Sequence, residues 1–116
     1  MSELESTIRP VIEEAWEQRD TLGPGRYEPG LRDAVDRALF GLERGDLRVA
    51  TPGDDGWTVH EWLKQAILLH FRITHNRVMH DGGRRYFDKV ALRFAGDDDP
   101  IDDCGARLVP DATVRQ

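Results

Sequence analysis

The sequence predicts a small α+β fold, which is a mainly helical domain with one short β-hairpin. The chain is expected to end at the first coil of a parallel β-helix whose remaining coils are missing here. Three segments carry apolar residues at helical spacing, a turn-rich stretch separates two short β-forming runs, and the chain stops inside a six-residue apolar pattern. We assign residues 1–95 to the helical domain, 96–105 to an acidic linker and 106–116 to the start of a truncated hexapeptide β-helix.

Helical spacing of apolar residues over 4–16 predicts the first helix. Pro10 lies inside this pattern and predicts a kink, unless the helix begins nearby and Pro10 occupies its first turn. Apolar residues over 31–42 predict a second helix, with Gly45 as its C-cap. The stretch GPGRYEPG (residues 23–30) has the composition of a turn, so we expect the two helices to pack as a helical hairpin.

The middle of the chain predicts a hairpin that leads into a third helix. Residues 47–50 and 57–59 flank the turn-rich TPGDDG and are the expected strands. Thr58 and Glu61 have the spacing of a capping box, in which the Thr hydroxyl and the Glu carboxylate satisfy exposed backbone N–H groups. The third helix is therefore expected to begin at this box and to present its apolar face over residues 62–70.

Further strands are suggested after the third helix, at residues 72–73 and 78–79, with turn points at Asn76 and at Gly82-Gly83. The chain then ends on RLVPDATVRQ. In that stretch Leu108, Ala112 and Val114 fit the aliphatic-x-x-x-small-x-aliphatic period of hexapeptide repeats. The pattern predicts an exposed last strand over residues 108–114, which without the β-helix is expected to be disordered or to drive weak association.

A zinc-protease motif is suggested by HEWLK and then excluded by its last residue. The motif H-E-x-x-H needs a second histidine four residues after the first, and Lys64 stands there. We therefore predict that His60 and Glu61 cap the helix. Among the other histidines, His70 is expected to be partly buried and hydrogen-bonded, and no spacing that includes His75 or His80 matches a metal-ligand set.

The remaining polar features favour solvated surface over a site. The run DDDPIDD lacks the ligand spacing of a calcium loop and is expected to be a solvated linker. Cys104 has no recognisable base and is expected to be an inert thiol. A single basic spot is too small for nucleic-acid binding. Its members are Arg77, Arg84, Arg85 and Lys89.

Composition limits the function classes. Among the 116 residues, 39% are hydrophobic and 33% charged, which is typical of a folded chain. The formal net charge of −6 argues against broad attraction to nucleic acid or to anionic lipid. The longest aliphatic run, residues 66–69, is too short to span a membrane, and the N-terminus lacks the features of a signal peptide. A cytoplasmic protein without internal disulfides is expected, because Cys104 is the single cysteine.

Three stretches taken together carry a family resemblance. GDLRVATPGDDGWTVHEWLKQAILLHFRI, RRYFDKVALRF and ARLVPDATVRQ resemble the N-terminal domain of the tetrahydrodipicolinate N-succinyltransferases. The likeness is close over residues 45–94 and 106–116, and looser in the first two helices and in the aspartate linker. The resemblance implies that the missing part is a left-handed parallel β-helix, and that the complete enzyme is a homotrimer with active sites between subunits.

The same resemblance implies a reaction and one site residue. The reaction is transfer of succinyl from succinyl-CoA to ring-opened tetrahydrodipicolinate, in the succinylase branch of lysine and diaminopimelate biosynthesis. A substrate-binding arginine of the family falls on Arg107. The family's acyl-CoA contacts lie on the β-helix, so this chain alone is expected to bind no cofactor, no metal and no succinyl-CoA, to transfer no succinyl, and to be a monomer or to associate weakly. The catalytic residues are not identified.

Two other classes remain open at the level of sequence. The chain could be a free-standing interaction module derived from the enzyme domain. The order of three short helices and a hairpin could also form a winged-helix-like DNA reader, although the acidic charge argues against it.

Overall fold

The computed structural model describes residues 2–96 and 99–116, which divide into two compact units. Unit 1 is Met1–Thr74 and unit 2 is His75–Gln116. Asp97 and Asp98 of the expected aspartate linker lie outside the described residues. The division of the sequence at residues 95 and 105 stays a prediction.

Unit 1 contains three α-helices and one hairpin. In chain order its elements are α1 (Glu3–Glu17), a 3₁₀ turn (Arg19–Thr21), α2 (Pro29–Arg44), β1 (Ala50–Gly53), β2 (Gly56–Val59) and α3 (Glu61–Ile73). Each of the three helices packs against the other two, which confirms the helical part of the fold class.

The core of unit 1 is apolar and is built from one face of each helix. A buried leucine or isoleucine contributes about 1.5–3 kcal/mol relative to an exposed one, so this cluster dominates the stability of the unit. The buried members are Ile8, Ile12, Leu31, Ala34, Val35, Ala38, Trp62, Leu63, Ala66, Leu69 and Ile73.

The ends of the first two helices show how local sequence sets their limits. Ser2 is the N-cap of α1, and its Oγ accepts a hydrogen bond of 3.1 Å from the Glu5 N–H. Pro10 lies inside α1 and not in its first turn, so the Ser6 carbonyl lacks the usual N–H donor there. Gly45 ends α2 at φ +82°, in the left-handed region that favours glycine, which confirms the predicted C-cap.

The first hairpin is confirmed with different strand limits. Ala50 pairs with Val59 and Gly53 with Gly56, so β1 begins three residues later than the 47–50 run predicts. The connection is reduced to two residues, Asp54 and Asp55, because the ladder extends through the stretch expected to be a turn.

The predicted capping box is wrong. Thr58 belongs to β2, where it lies opposite Thr51, and the N-cap of α3 is His60. The His60 side chain does not cap the helix either: its Nε2 lies 2.9 Å from Thr51 Oγ1, across the hairpin. The strand continues to Val59, so the hairpin ladder fixes the backbone at Thr58 and leaves no room for a helix cap there.

Unit 2 contains a second hairpin, of which the sequence indicated only one strand. β3 (Arg77–Asp81) includes the expected strand at 78–79, and β4 (Arg84–Asp88) pairs with it across the Gly82-Gly83 turn. The expected strand at 72–73 is wrong, because these residues form the last turn of α3. Within the described part of the chain, no helix is long and apolar enough to cross a membrane.

Candidate functional site

The candidate site residue, Arg107, lies in an exposed irregular stretch of unit 2. Its side chain makes no hydrogen bond or ion pair with residues 2–96 or 99–116. We refer to residues 99–113 as the Arg107 loop. The loop also contains Cys104, an exposed free thiol whose Sγ donates to the Ala106 carbonyl at 3.6 Å.

Both ends of the Arg107 loop meet at Arg93. At the first end, the Arg93 guanidinium binds the Asp99 carboxylate through two contacts of 2.9 and 3.2 Å. At the second end, the Arg93 backbone N–H donates to the Val114 carbonyl at 2.9 Å. A further backbone bond of 3.0 Å, from Gln116 N–H to the Ala91 carbonyl, continues this pairing. The loop is therefore closed at its base.

Asp99 is consequently more than a solvated linker residue. Its Oδ2 also accepts from the Phe94 N–H at 2.9 Å, where Phe94 adopts φ +64°. The hydrogen bonds from Arg93, and then that from Phe94, hold the pKa of Asp99 below its ordinary value of 3.8. The composition of the aspartate run gave no sign of this role, because the partner is an arginine six residues earlier in the chain.

Residues 108–114 do not form a strand in this chain, and a turn lies at 109–112; that they begin a β-helix in the longer protein stays a prediction. Ala112 N–H donates to the Val109 carbonyl at 3.0 Å, with Pro110 and Asp111 at the two central positions. Asp111 has φ +76°. Pro at the first central position and a positive φ at the second are the marks of a type II turn, which reverses the chain and breaks strand alternation.

Two ion pairs join this stretch to β4. Asp111 binds Arg84, the first residue of β4, and this contact raises the pKa of the Arg84 guanidinium above its ordinary value. Arg115 Nη2 lies 2.8 Å from Oδ2 of Asp88, the last residue of β4. Arg84 and Arg115 are therefore neutralised by carboxylates, whereas Arg107 has no such partner among the described residues.

The histidines do not form a site. His70, on α3, is half-buried as expected, and its Nδ1 lies 2.8 Å from Arg32 Nη2 on α2. A guanidinium only donates, so Nδ1 accepts and the ring proton lies on Nε2. His75 and His80 are exposed. Across residues 2–96 and 99–116, no group of three His, Cys, Asp or Glu side chains is arranged to hold a metal ion.

The other candidates have ordinary surface roles. Lys64, which occupies the position of the missing zinc ligand, lies 3.6 Å from the Glu61 carboxylate. Arg77, at the start of β3, and Arg85, on β4, are exposed. Arg107, identified by the family resemblance, and its loop remain the candidate site.

The described residues form three α-helices and two antiparallel hairpins, which is a small α+β fold. The family model described as "Tetrahydrodipicolinate N-succinyltransferase N-terminal" matches residues 7–73, which is more than half of the chain. The chain belongs to this family. The matched range contains the three helices of unit 1 except for the first residues of α1, and it confirms the resemblance in the sequence.

Relatives extend the similarity beyond unit 1. Each is named 2,3,4,5-tetrahydropyridine-2,6-dicarboxylate N-succinyltransferase. The protein from Proteus mirabilis is 44% identical over 110 residues, that from Gluconobacter oxydans 50% over 112, and that from Paramagnetospirillum magneticum 46% over 114. These matches cover 94–96% of this chain but only 40% of each relative. Because each match covers at least 94% of the chain, the similar region includes Arg107.

Proposed function

We propose that the chain is the N-terminal part of an enzyme that transfers succinyl from succinyl-CoA to ring-opened tetrahydrodipicolinate, in lysine and diaminopimelate biosynthesis. The match of residues 7–73 to the family model carries this proposal. The chain spans about 40% of the length of the relatives, so the activity is proposed for the complete protein. The proposal includes a cytoplasmic homotrimer whose succinyl-CoA contacts lie in the remaining part.

The reaction makes three demands on such a protein. The substrate amine must lose a proton to attack the thioester, the carbonyl oxygen must be stabilised as negative charge develops, and the dicarboxylate must be held in place. A new C–N bond forms as the C–S bond breaks, and the amine proton leaves with the CoA thiol. Within this chain, Arg107 is suited to the third demand.

Arg107 is proposed to bind one substrate carboxylate. A guanidinium presents a planar fork that can bind a carboxylate through two parallel N–H···O contacts and stays charged at physiological pH. The Arg107 side chain is exposed and has no carboxylate partner among residues 2–96 and 99–116, so binding would not require an ion pair with any of these residues to break.

The proposal is tested by joining residues 1–116 to the part of the Gluconobacter oxydans relative that follows its matched segment. Succinyl transfer from succinyl-CoA to tetrahydrodipicolinate is then measured by the release of CoA thiol. We expect turnover from the joined protein and none from the 116-residue chain alone, because the surfaces proposed to bind CoA are not in these residues. A joined protein that folds and has no turnover, or turnover by the chain alone, would contradict the proposal.

The role of Arg107 is tested in the joined protein. Arg107→Ala should cost about 2–4 kcal/mol of transition-state binding, and Arg107→Lys should recover part of this, because it keeps the charge and loses the fork. The loss should appear in the kinetics of the dicarboxylate and leave the KM for succinyl-CoA unchanged.

The matched control is Arg85→Ala, which removes another exposed arginine of unit 2. Arg115 would be a poor control because it is paired with Asp88. Wild-type kinetics for Arg107→Ala, or an equal effect on both substrates, would mean that Arg107 does not bind the carboxylate.

A further inference from the structure

Besides the contacts of Arg93 at the base of the Arg107 loop, two ion pairs hold residues 111–115 to the two ends of one strand. Arg84 and Asp88, four residues apart, are the first and last residues of β4. Their partners, Asp111 and Arg115, are also four residues apart. Both ion pairs are formed together, so one placement of residues 111–115 satisfies both at once.

The order of charges makes this placement specific. β4 presents a positive charge at its first residue and a negative charge at its last, and residues 111–115 carry the opposite order. If the stretch were reversed, Asp111 would approach Asp88 and Arg115 would approach Arg84. Like charges in contact are unfavourable, so the pattern both stabilises the observed arrangement and disfavours the reversed one.

Asp111 occupies a position that glycine or asparagine would fill at lower backbone cost. Its φ of +76° lies in the left-handed region, which a side chain disfavours. Glycine there would relax the turn but would provide no carboxylate for Arg84.

We propose that Arg84 and Asp88 are positioning residues for Arg107: by binding Asp111 and Arg115 they hold the Arg107 loop in one conformation and keep the Arg107 guanidinium available for a carboxylate of the substrate. This inference rests on the proposed function of Arg107. The pairs are exposed, with side-chain accessibilities between 42% and 80%, so they contribute little to stability and their main effect is on loop geometry.

The kinetic test uses the joined protein and variants that separate the carboxylate from the turn. Asp111→Gly favours the positive φ and Asp111→Asn tolerates it, and both remove the charge. Each should raise the KM for the dicarboxylate about threefold, the effect of losing one exposed ion pair, with the KM for succinyl-CoA unchanged. Asp88→Arg should do the same, and combining it with Arg115→Asp should restore the wild-type KM.

The matched control is Asp46→Asn, which removes an exposed ion pair with Arg44 in unit 1 and should leave both KM values unchanged. If the two Asp111 variants keep the wild-type KM while Arg107→Ala impairs the enzyme, the positioning role is wrong and the proposed function stands. If Arg107→Ala itself has no effect, the proposed carboxylate-binding role of Arg107 fails and the positioning role fails with it, whereas the proposed enzyme activity is judged by turnover of the joined protein.

The 116-residue chain gives a readout that does not depend on activity. The amides of Ala112 and Gln116 donate to Val109 and Ala91, one in the turn of the loop and one at its base. Hydrogen exchange at both amides should become about threefold faster in Asp88→Arg, and the Asp88→Arg/Arg115→Asp double variant should restore it. Unchanged exchange in Asp88→Arg would overturn the inference, because the ion pair would then not hold the loop.

Discussion

The two units of the chain are stabilised by different interactions. Among the described residues the buried hydrophobic side chains belong to unit 1, with the single exception of Met79. In unit 2 the stretch after β4 is fixed by backbone hydrogen bonds and by carboxylate–arginine contacts. Burial gives unit 1 a few large contributions to its free energy of unfolding, whereas unit 2 depends on many small ones.

This difference agrees with the proposal that the binding residue, Arg107, lies in unit 2 and not in the packed core of unit 1. A packed apolar core makes a rigid scaffold, and binding residues occur disproportionately on loops. Arg107 belongs to such a loop, and the interactions that hold it are polar and can be altered one at a time. The contrast is testable, because substitutions that look alike in sequence should have very different effects in the two settings.

The largest expected effect is on the core of unit 1. Leu69 is fully buried, whereas its neighbour on α3, Leu68, is 51% exposed. Leu69→Ala should lower the free energy of unfolding by about 2–5 kcal/mol, because it leaves a cavity in the core. Leu68→Ala should change it by about 0.5 kcal/mol or less. Urea denaturation of both variants measures the difference, and similar midpoints would contradict the assignment of the core.

The next effect concerns backbone conformation at the two ends of α2. Gly45→Ala should cost about 1 kcal/mol, because alanine disfavours φ +82°. Gly30, in the first turn, has open space where a Cβ would lie and no positive φ. Gly30→Ala should therefore be neutral or stabilise by about 0.5 kcal/mol. Thermal melting of the pair is the measurement, and equal shifts would show that the Gly45 cap does not matter.

A smaller effect separates a real helix cap from an apparent one. Ser2→Ala removes the Oγ that accepts from Glu5 N–H and should cost about 0.5–1 kcal/mol. Thr58→Val removes the hydroxyl and keeps the β-branched shape that suits β2, so the free energy of unfolding should stay within about 0.5 kcal/mol of wild type. A decrease of about 1 kcal/mol in the free energy of unfolding of Thr58→Val would instead support the capping box that the structure contradicts.

The error at Thr58 shows where sequence reasoning ends. Apolar periodicity correctly predicted three helices, and Gly45 was identified as a cap, because both signals depend on residues close in sequence. The capping-box pattern is equally local, but Thr58 is also suited to a strand, and pairing with Thr51 across the hairpin decides between the two. Tertiary context overrides a four-residue motif in such a case.

The contacts around Arg107 could not be predicted from the sequence, because they also join residues that are far apart in the chain. Resemblance identified the arginine itself, but its role in binding stays a prediction. Asp111 meets Arg84 across 27 positions of the chain, and no periodicity or motif marks such a pair. Pro110 is the exception, because proline breaks strand alternation, and it occupies a central position of the observed turn at 109–112.

The smallest effect is a titration at the base of the Arg107 loop. Arg93, and then the Phe94 N–H, favour the charged form of Asp99, so its pKa in the folded chain lies below 3.8. Because the folded pKa is lowered, the stabilisation is fully present above the ordinary pKa of aspartate and is lost as pH falls through the folded value. The Phe94 amide resonance, followed by NMR from pH 6 downward, should therefore move with a midpoint below 3.8.

Asp99→Asn should abolish this movement of the Phe94 amide resonance, whereas Asp102→Asn, which removes an exposed carboxylate of the same loop, should leave it unchanged. A midpoint at or above 3.8, or a loss of the movement in Asp102→Asn, would contradict this assignment. Arg93 would then not close the Arg107 loop through Asp99, and the loop would not be held at its base by that ion pair.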